Sequence, residues 1–251
     1  MWEIYDRLIE GIPDDISILD VYSGETWSYV HSDSGFGVAM TLNSAMRPPM
    51  QKKRWTDCTL KECAKYVKSW NFKEASLGLS AINSWYNTER NLRKMNVVRG
   101  TTNIQRDAFL TYQEEVKGKN VAVIGHFPFL EKRFAPICNL SILERIEKEG
   151  DYPDTACEYL LPEQDYVFIT GVTFINKTVE RLLQLAKNST IIMVGPSVPM
   201  AEVLFEYGIT ALEGFQVEKE ELGKNLIQSP SNQGIFQCGH MISVKKNSIK
   251  M

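Results

Sequence analysis

The stretch Val121-Ala122-Val123-Ile124-Gly125-His126-Phe127-Pro128-Phe129 constrains the fold more than any other part of the chain. Its first four residues are β-branched or small and apolar, with Gly118-Lys119-Asn120 before them and Gly125-His126-Phe127-Pro128 after. Such a run reads as a strand buried on both faces, the pattern of a parallel sheet. In open sheets of this kind ligands settle beyond the carboxyl ends of the strands, where a loop turns into a helix. Here the loop carries one glycine and a histidine, so the dinucleotide fingerprint G-x-G-x-x-G is missing. A Rossmann-like layer is expected, and NAD is not.

Along the chain the rhythm changes near residue 119. Before it, Trp2, Tyr5, Leu8 and Ile9 mark one face of an opening helix, and three β-rich runs at 16–22, 26–31 and 35–41 form a meander. A polar, proline-broken loop over 43–56 carries the basic cluster Gln51-Lys52-Lys53-Arg54. Helices are expected over 60–68 and 72–86, the second opened by Asn71 with Glu74 three residues on. Residues 87–118 are polar and weakly patterned and serve as a connection. From 119 onward strands at 120–125, 138–143, 166–170, 190–194 and 209–212 alternate with helices at about 128–135, 176–187 and 199–206. That is βαβ rhythm, and a helix near 218–226, a strand near 241–245 and a basic tail complete the chain. The fold class is therefore α/β: an N-terminal α+β domain at 1–110, then a mostly parallel α/β domain at 111–251.

Composition narrows the function classes. With 28 Lys and Arg against 31 Asp and Glu the chain has no basic footprint, so no nucleic acid partner is expected. No apolar run reaches the eighteen or so residues of a membrane span, and the N-terminus lacks the pattern of a signal peptide. The five cysteines, Cys58, Cys63, Cys138, Cys157 and Cys238, are scattered without a CxxC pair, as in a cytoplasmic protein with reduced thiols. Neither they nor the Cys238-Gly239-His240 segment supply a structural zinc set. G-x-S-x-G, P-loop and HExxH motifs are absent.

The candidate chemistry gathers at predicted strand tips. His126 can carry a proton, ligate a metal or fix its own loop through a hydrogen bond. Glu144 and Asp151 fall at or beyond the next tip and can join it as acid/base partners or as ligands of a hard or borderline metal, or can cap a helix and pair with Arg145 or Lys148. Thr170, Thr173, Lys177 and Thr178, with Gly125, Gly195, Pro196 and Ser197, form polar and tight turns that either hold a ligand or cap helices. On the 72–86 helix Ser76, Ser80 and Ser84 recur every four residues. Tight packing explains them, or else Asn71, Ser76 and Asn83 face a cleft.

Several motifs together give the chain a resemblance. Ser69-Trp70-Asn71 leads into Glu74-Ala75-Ser76-Leu77-Gly78-Leu79-Ser80-Ala81-Ile82-Asn83, and Val123-Ile124-Gly125-His126-Phe127-Pro128 comes next. Then come Asn139 to Glu144, Gly150-Asp151-Tyr152-Pro153, Leu161 to Tyr166, Lys177-Thr178 and Val194-Gly195-Pro196-Ser197-Val198-Pro199. In these the chain resembles the "putative heavy-metal chelation" family. The resemblance implies an enolase N-terminal-like domain, a Rossmann-like domain and a site in the cleft between them. It implies no enolase activity, because the catalytic barrel is missing. Three kinds of protein are expected. One binds a small anionic or metal-chelating ligand in the interdomain cleft, through His126, Glu144 and Asp151, with a divalent or heavy metal as the candidate cofactor. Another is an enzyme using a nucleotide-type or adenosyl cofactor. The third is a metal-trafficking or sensing protein without turnover that binds metal stoichiometrically through carboxylates and not thiols. Whether there is turnover, and whether the chain forms a homo-oligomer, stays open.

Overall fold

The computed structural model describes residues 2–44, 47–99, 107–229 and 234–248. Its first unit is a meander of β1 (Ile18–Ser23), β2 (Trp27–Ser32) and β3 (Gly35–Met40), antiparallel in that order. Three helices attend it: α1 (Glu3–Glu10), α2 (Leu60–Ala64) and α3 (Phe72–Tyr86). Asn71 caps α3 by accepting the Glu74 N–H at 3.2 Å.

α3 is buried along nearly its whole length, which needs short side chains where it crosses the meander. The serine stripe serves this contact. Ser80 donates to the Ser28 carbonyl at 3.1 Å and Ser84 to the Gly35 carbonyl at 2.7 Å. At the closest point Gly37 faces the helix backbone, where a Cβ would lie 2.0 Å from the Ser84 nitrogen and 2.1 Å from the Ser80 oxygen.

The second unit is an eight-stranded sheet of order β4-β11-β10-β9-β8-β5-β6-β7. Its strands are β4 (Val98–Arg99), β5 (Asn120–Ile124), β6 (Asn139–Glu144), β7 (Tyr152–Pro153), β8 (Tyr166–Thr170), β9 (Thr190–Val194), β10 (Ile209–Val217) and β11 (Gly239–Lys245). From β10 to β7 all neighbours are parallel, while β11 and β4 close the other edge antiparallel. Val121, Ala122 and Val123 of β5 are fully buried, as a strand with helices on both faces requires. The helical pieces are α4 (Glu89–Leu92), α5 (Ala108–Thr111), α6 (Leu130–Phe134), α7 (Cys157–Leu160), α8 (Thr173–Asn176), α9 (Val179–Leu185) and α10 (Glu220–Gln228).

The structure corrects several expected bounds. The connection at 87–118 also supplies α4, α5 and the edge strand β4, which at two residues is too short to show a period. β10 runs to Val217 instead of ending at 212, because its buried Glu213 is matched by the Ser243 hydroxyl of β11 at 2.6 Å. The single helix expected over 176–187 is two, broken where Lys177 takes φ 69°. The segment expected as a helix at 199–206 is a 3₁₀ helix at Glu202–Tyr207. The expected basic tail runs into residues 249–251, which lie outside the described residues.

The two units share one core. A single cluster of buried residues includes Ile4 and Leu8 of α1, Leu79 and Ile82 of α3, and Ile169 and Met193 of the large sheet. Asn87, just beyond α3 and 4% exposed, ties the units by hydrogen bonds. Its amide donates to the carbonyls of Val198 at 3.0 Å and Phe215 at 3.1 Å, and its oxygen accepts the Met200 N–H at 2.8 Å. Removing a buried group with several partners leaves each partner desolvated and unpaired. Asn87→Ala should therefore lower the unfolding free energy by about 3 kcal/mol in urea titration; a loss below about 1 kcal/mol would mean that packing alone holds the units together.

Candidate functional site

A cavity of about 720 Å³ opens at the carboxyl ends of β5, β6 and β8. The strand tips bring Gly125, His126, Glu144, Arg145 and Thr170, and α8 and α9 bring Thr173 and Arg181. The N-terminal unit closes one side with Met40, Leu42 and Ser44, which lie at and just beyond the end of β3. Apolar side chains such as Ile124, Phe127, Leu143 and Leu182 supply much of the wall.

The β5 tip is built by backbone geometry and two carboxylates. Gly125 takes φ 101°, a region that favours glycine, and its N–H donates to the Leu143 carbonyl at 2.9 Å. Glu144, the last residue of β6, accepts the His126 N–H at 2.9 Å on one oxygen and the Arg145 N–H at 2.7 Å on the other. Asp151, its side chain 2% exposed, meets His126 Nδ1 at 2.9 Å and also accepts the Lys148 N–H at 2.9 Å. The imidazole is 7% exposed, and its Nε2 lies 3.0 Å from Glu131, whose carboxylate is 52% exposed. His126, Glu144 and Asp151 thus converge on one loop. Asp151 sets the ring's orientation, and the other ring nitrogen contacts a solvent-facing carboxylate at the start of α6.

The remaining predicted residues divide. Thr170, Thr173 and Thr178 line the cavity with Gly125. Thr173 spends its hydroxyl on the Thr170 carbonyl at 2.7 Å, and Thr178 donates to the Asn176 side chain at 2.6 Å. Gly195, Pro196 and Ser197 are not among the lining residues. Ser197 instead accepts the Met40 N–H at 2.9 Å, which anchors the end of β3 to the large sheet. Asn71, Ser76 and Asn83 also stay out of the cavity. Asn71 donates to the Arg47 carbonyl at 2.6 Å, Ser76 accepts the Leu42 N–H at 3.2 Å, and Asn83 donates to the Val38 carbonyl at 2.8 Å. Their polar groups fix the backbone that leads to the site, because α3 lies behind β3.

Lys177 is also outside the cavity. Its ammonium nitrogen donates to the Ile175 carbonyl and sits 5.4 Å from the Phe72 ring and 6.0 Å from that of Trp70. The rings return part of the lost solvation, yet burial prevails and pushes its pKa down to about 7.

Residues that sequence reasoning passed over include Arg145, Ile146, Asp154, Cys157, Glu158 and Arg181. Arg145 pairs with Asp154 at 2.9 Å, and Arg181 Nε donates to Glu158 at 2.8 Å. Arg145 and Ile146 were findable as the residues just past a strand tip; Arg181 was not, since a helix surface arginine carries no local sign of facing a pocket. Burial raises the Cys157 thiol pKa, with Glu158 and Asp154 adding to it, so the cavity's cysteine stays protonated.

These groups do not fit a resident metal. Both ring nitrogens of His126 meet carboxylates, each oxygen of Glu144 holds one backbone N–H, and Asp151 is divided between His126 Nδ1 and the Lys148 N–H. Among the described residues no group of three or more His, Cys, Asp or Glu is arranged to hold a metal ion. No described helix is long and apolar enough to cross a membrane.

Fold and site define a mixed α/β protein whose cavity lies at the strand tips of a mostly parallel sheet. Residues 107–241 match the model of the DUF364 family and residues 5–86 that of DUF4213, both described as "Putative heavy-metal chelation", and the chain belongs to the DUF364 family. A solved DUF364 protein of unknown function from Desulfitobacterium hafniense DCB-2 is 42% identical, with a TM-score of 0.91 over 98% of this chain and 99% of that one. A second, from Pyrococcus horikoshii, shares the fold at 22% identity, with a TM-score of 0.81 over 96% and 98% of the two chains. The uncharacterized protein MJ0500 of Methanocaldococcus jannaschii is 30% identical over 234 residues, 86% of this chain and 85% of its own length.

The Lys177 environment generates a pH prediction. Its folded pKa of about 7 lies below the ordinary value of 10.5, so between these pH values the unfolded chain binds the extra proton and stability rises with pH. Below pH 7 the penalty is complete. Lys177→Met should remove that slope and gain most over the parent at pH 6, read as urea midpoints at pH 6 and pH 10; equal midpoint shifts at both would show a lysine with an ordinary pKa.

Proposed function

We propose that the chain binds a small organic molecule in the cavity between an N-terminal domain, residues 1–110, and a Rossmann-like domain, residues 111–251, with His126 as the group that exchanges a proton or hydrogen bond with it. The observation that carries this reading is the His126–Asp151 pair at the cavity's edge. A nearly buried carboxylate on Nδ1 fixes the tautomer and ring plane. The Glu131 contact on Nε2 is solvent-facing, so a ligand group can replace it.

Charge selects among ligands. The lining carries Glu144, Asp154 and Glu158 against Arg145 and Arg181, and each arginine is already paired. A free anion gains little there. A neutral or cationic molecule, including an organic chelator that brings its own metal, suits the walls better. That accommodates the family's description without a metal held by side chains alone, the ion being cargo of the ligand. The order β7-β6-β5-β8-β9-β10 favours a second reading, an enzyme that uses a nucleotide-type or adenosyl cofactor, because doubly wound sheets of this order bind such molecules at the switch point.

Native mass spectrometry of the freshly purified chain beside its denatured mass should show a retained organic mass, with or without a metal. His126→Ala should lose that mass while staying folded at about 25 °C by circular dichroism, its melting temperature lowered by several degrees because the buried Asp151 carboxylate loses its partner. Full retention by the variant would make His126 a loop-fixing residue and defeat the reading; retention of a bare metal ion alone would place a protein-held metal where none is arranged.

A further inference from the structure

We propose that the molecule this cavity takes is a ribonucleoside without phosphates, its sugar hydroxyls donating to Glu144 and its base lying on Ile146 toward Asp154 and Thr155. This rests on the reading of the cavity as the ligand site and names the ligand's class.

The sugar contact follows from topology. β5 is flanked by β6 on one side and β8 on the other; the chain runs outward from β5 through β6 to β7 and then returns to β8, so the strand order reverses at β5 and a crevice opens above β5 and β8. In sheets wound this way a carboxylate about twenty residues beyond the first turn's glycine accepts the ribose hydroxyls. Gly125 directly follows β5, and Glu144 ends β6 nineteen positions later. Each carboxylate oxygen of Glu144 accepts one N–H, and an oxygen has two acceptor sites, so both retain capacity for a hydroxyl. Two hydroxyls on adjacent carbons match two carboxylate oxygens.

The base contact follows from exposure. Ile146 is 86% exposed and lines the cavity two residues past Glu144. An isoleucine so exposed keeps most of its apolar surface in water, and a planar heterocycle would remove that surface from water. Asp154 and Thr155 line the same end, just past the tip of β7, and offer acceptors to the exocyclic amine of a base.

The turn after β5 excludes phosphates. Pro128 has no N–H, Phe129 takes φ 64°, and α6 opens with Glu131 in its first turn. A phosphate there would face Glu131 and Asp151, and the arginines that line the cavity, Arg145 and Arg181, are engaged by Asp154 and Glu158.

Isothermal titration of the full chain with adenosine, guanosine, cytidine and uridine should give saturable one-to-one binding for at least one. For that base, the 2′,3′-dideoxy form and the 5′-monophosphate should each bind at least about tenfold more weakly. Ile146→Ser, at a position that is mostly exposed, should weaken the nucleoside about fivefold or more at an unchanged melting temperature. Absence of saturation for all four up to about 5 mM, equal affinity of the dideoxy form, or tighter binding of the monophosphate would overturn the assignment. If that happens while the retained mass still depends on His126, the ligand site stands and only the ribonucleoside falls.

Discussion

The structure depends on how closely α3 lies against the meander. Gly37 lets the backbones of β3 and α3 approach to a distance no Cβ would permit, and the serines of α3 satisfy carbonyls that this contact would otherwise strand. Because the helix is covered on its other faces by α2, the 65–68 segment and α8, the same element also fills the core shared by both units. Asn87 then fastens the helix end to two carbonyls and one N–H of the large unit. The small sheet is thereby fixed in orientation, and the end of β3 is delivered over the tips of β5, β6 and β8.

That delivery is held from two directions. Ser76 of α3 accepts the Leu42 N–H and Ser197 of the large unit accepts the Met40 N–H, so the residues that close the cavity are positioned by polar groups outside it. A similar division governs the floor. Glu144 orders the β5 and β6 tips through backbone N–H groups, and Asp151 orders the imidazole of His126, a residue that lines the cavity. Carboxylates used this way are structural and chemical together: a charge-assisted bond to a backbone N–H fixes a loop and leaves acceptor capacity for a ligand.

Much of this was legible from residue order. The strands at 166–170 and 190–194 and the helix at 72–86 stand where apolar runs, turns and a cap predict them, because each is set by local chemistry and by burial on a repeating face. The convergence of His126, Glu144 and Asp151 was readable in outline, since all three fall at or beyond tips of neighbouring parallel strands. What failed locally did so for tertiary reasons. Glu213 and Gln216 interrupt an apolar run, yet β10 continues through them because β11 supplies a partner, and β4 is a strand only because β11 offers an edge.

By itself, then, the sequence determined the α/β class, the change of rhythm near residue 119, the parallel strands and the polar loop at the β5 tip, all of them consequences of periodicity and turn chemistry within a few residues. Tertiary structure alone decided which polar groups face the cavity. Asn71, Ser76 and Asn83 have the same hydrogen-bonding capacity on paper as any ligand-binding trio, but α3 lies behind β3, and buried backbone groups there claim them first. Arg145, Ile146, Asp154 and Arg181 reach the cavity because distant segments fold around one sheet edge. Position in space, unlike propensity, is a property of the whole chain.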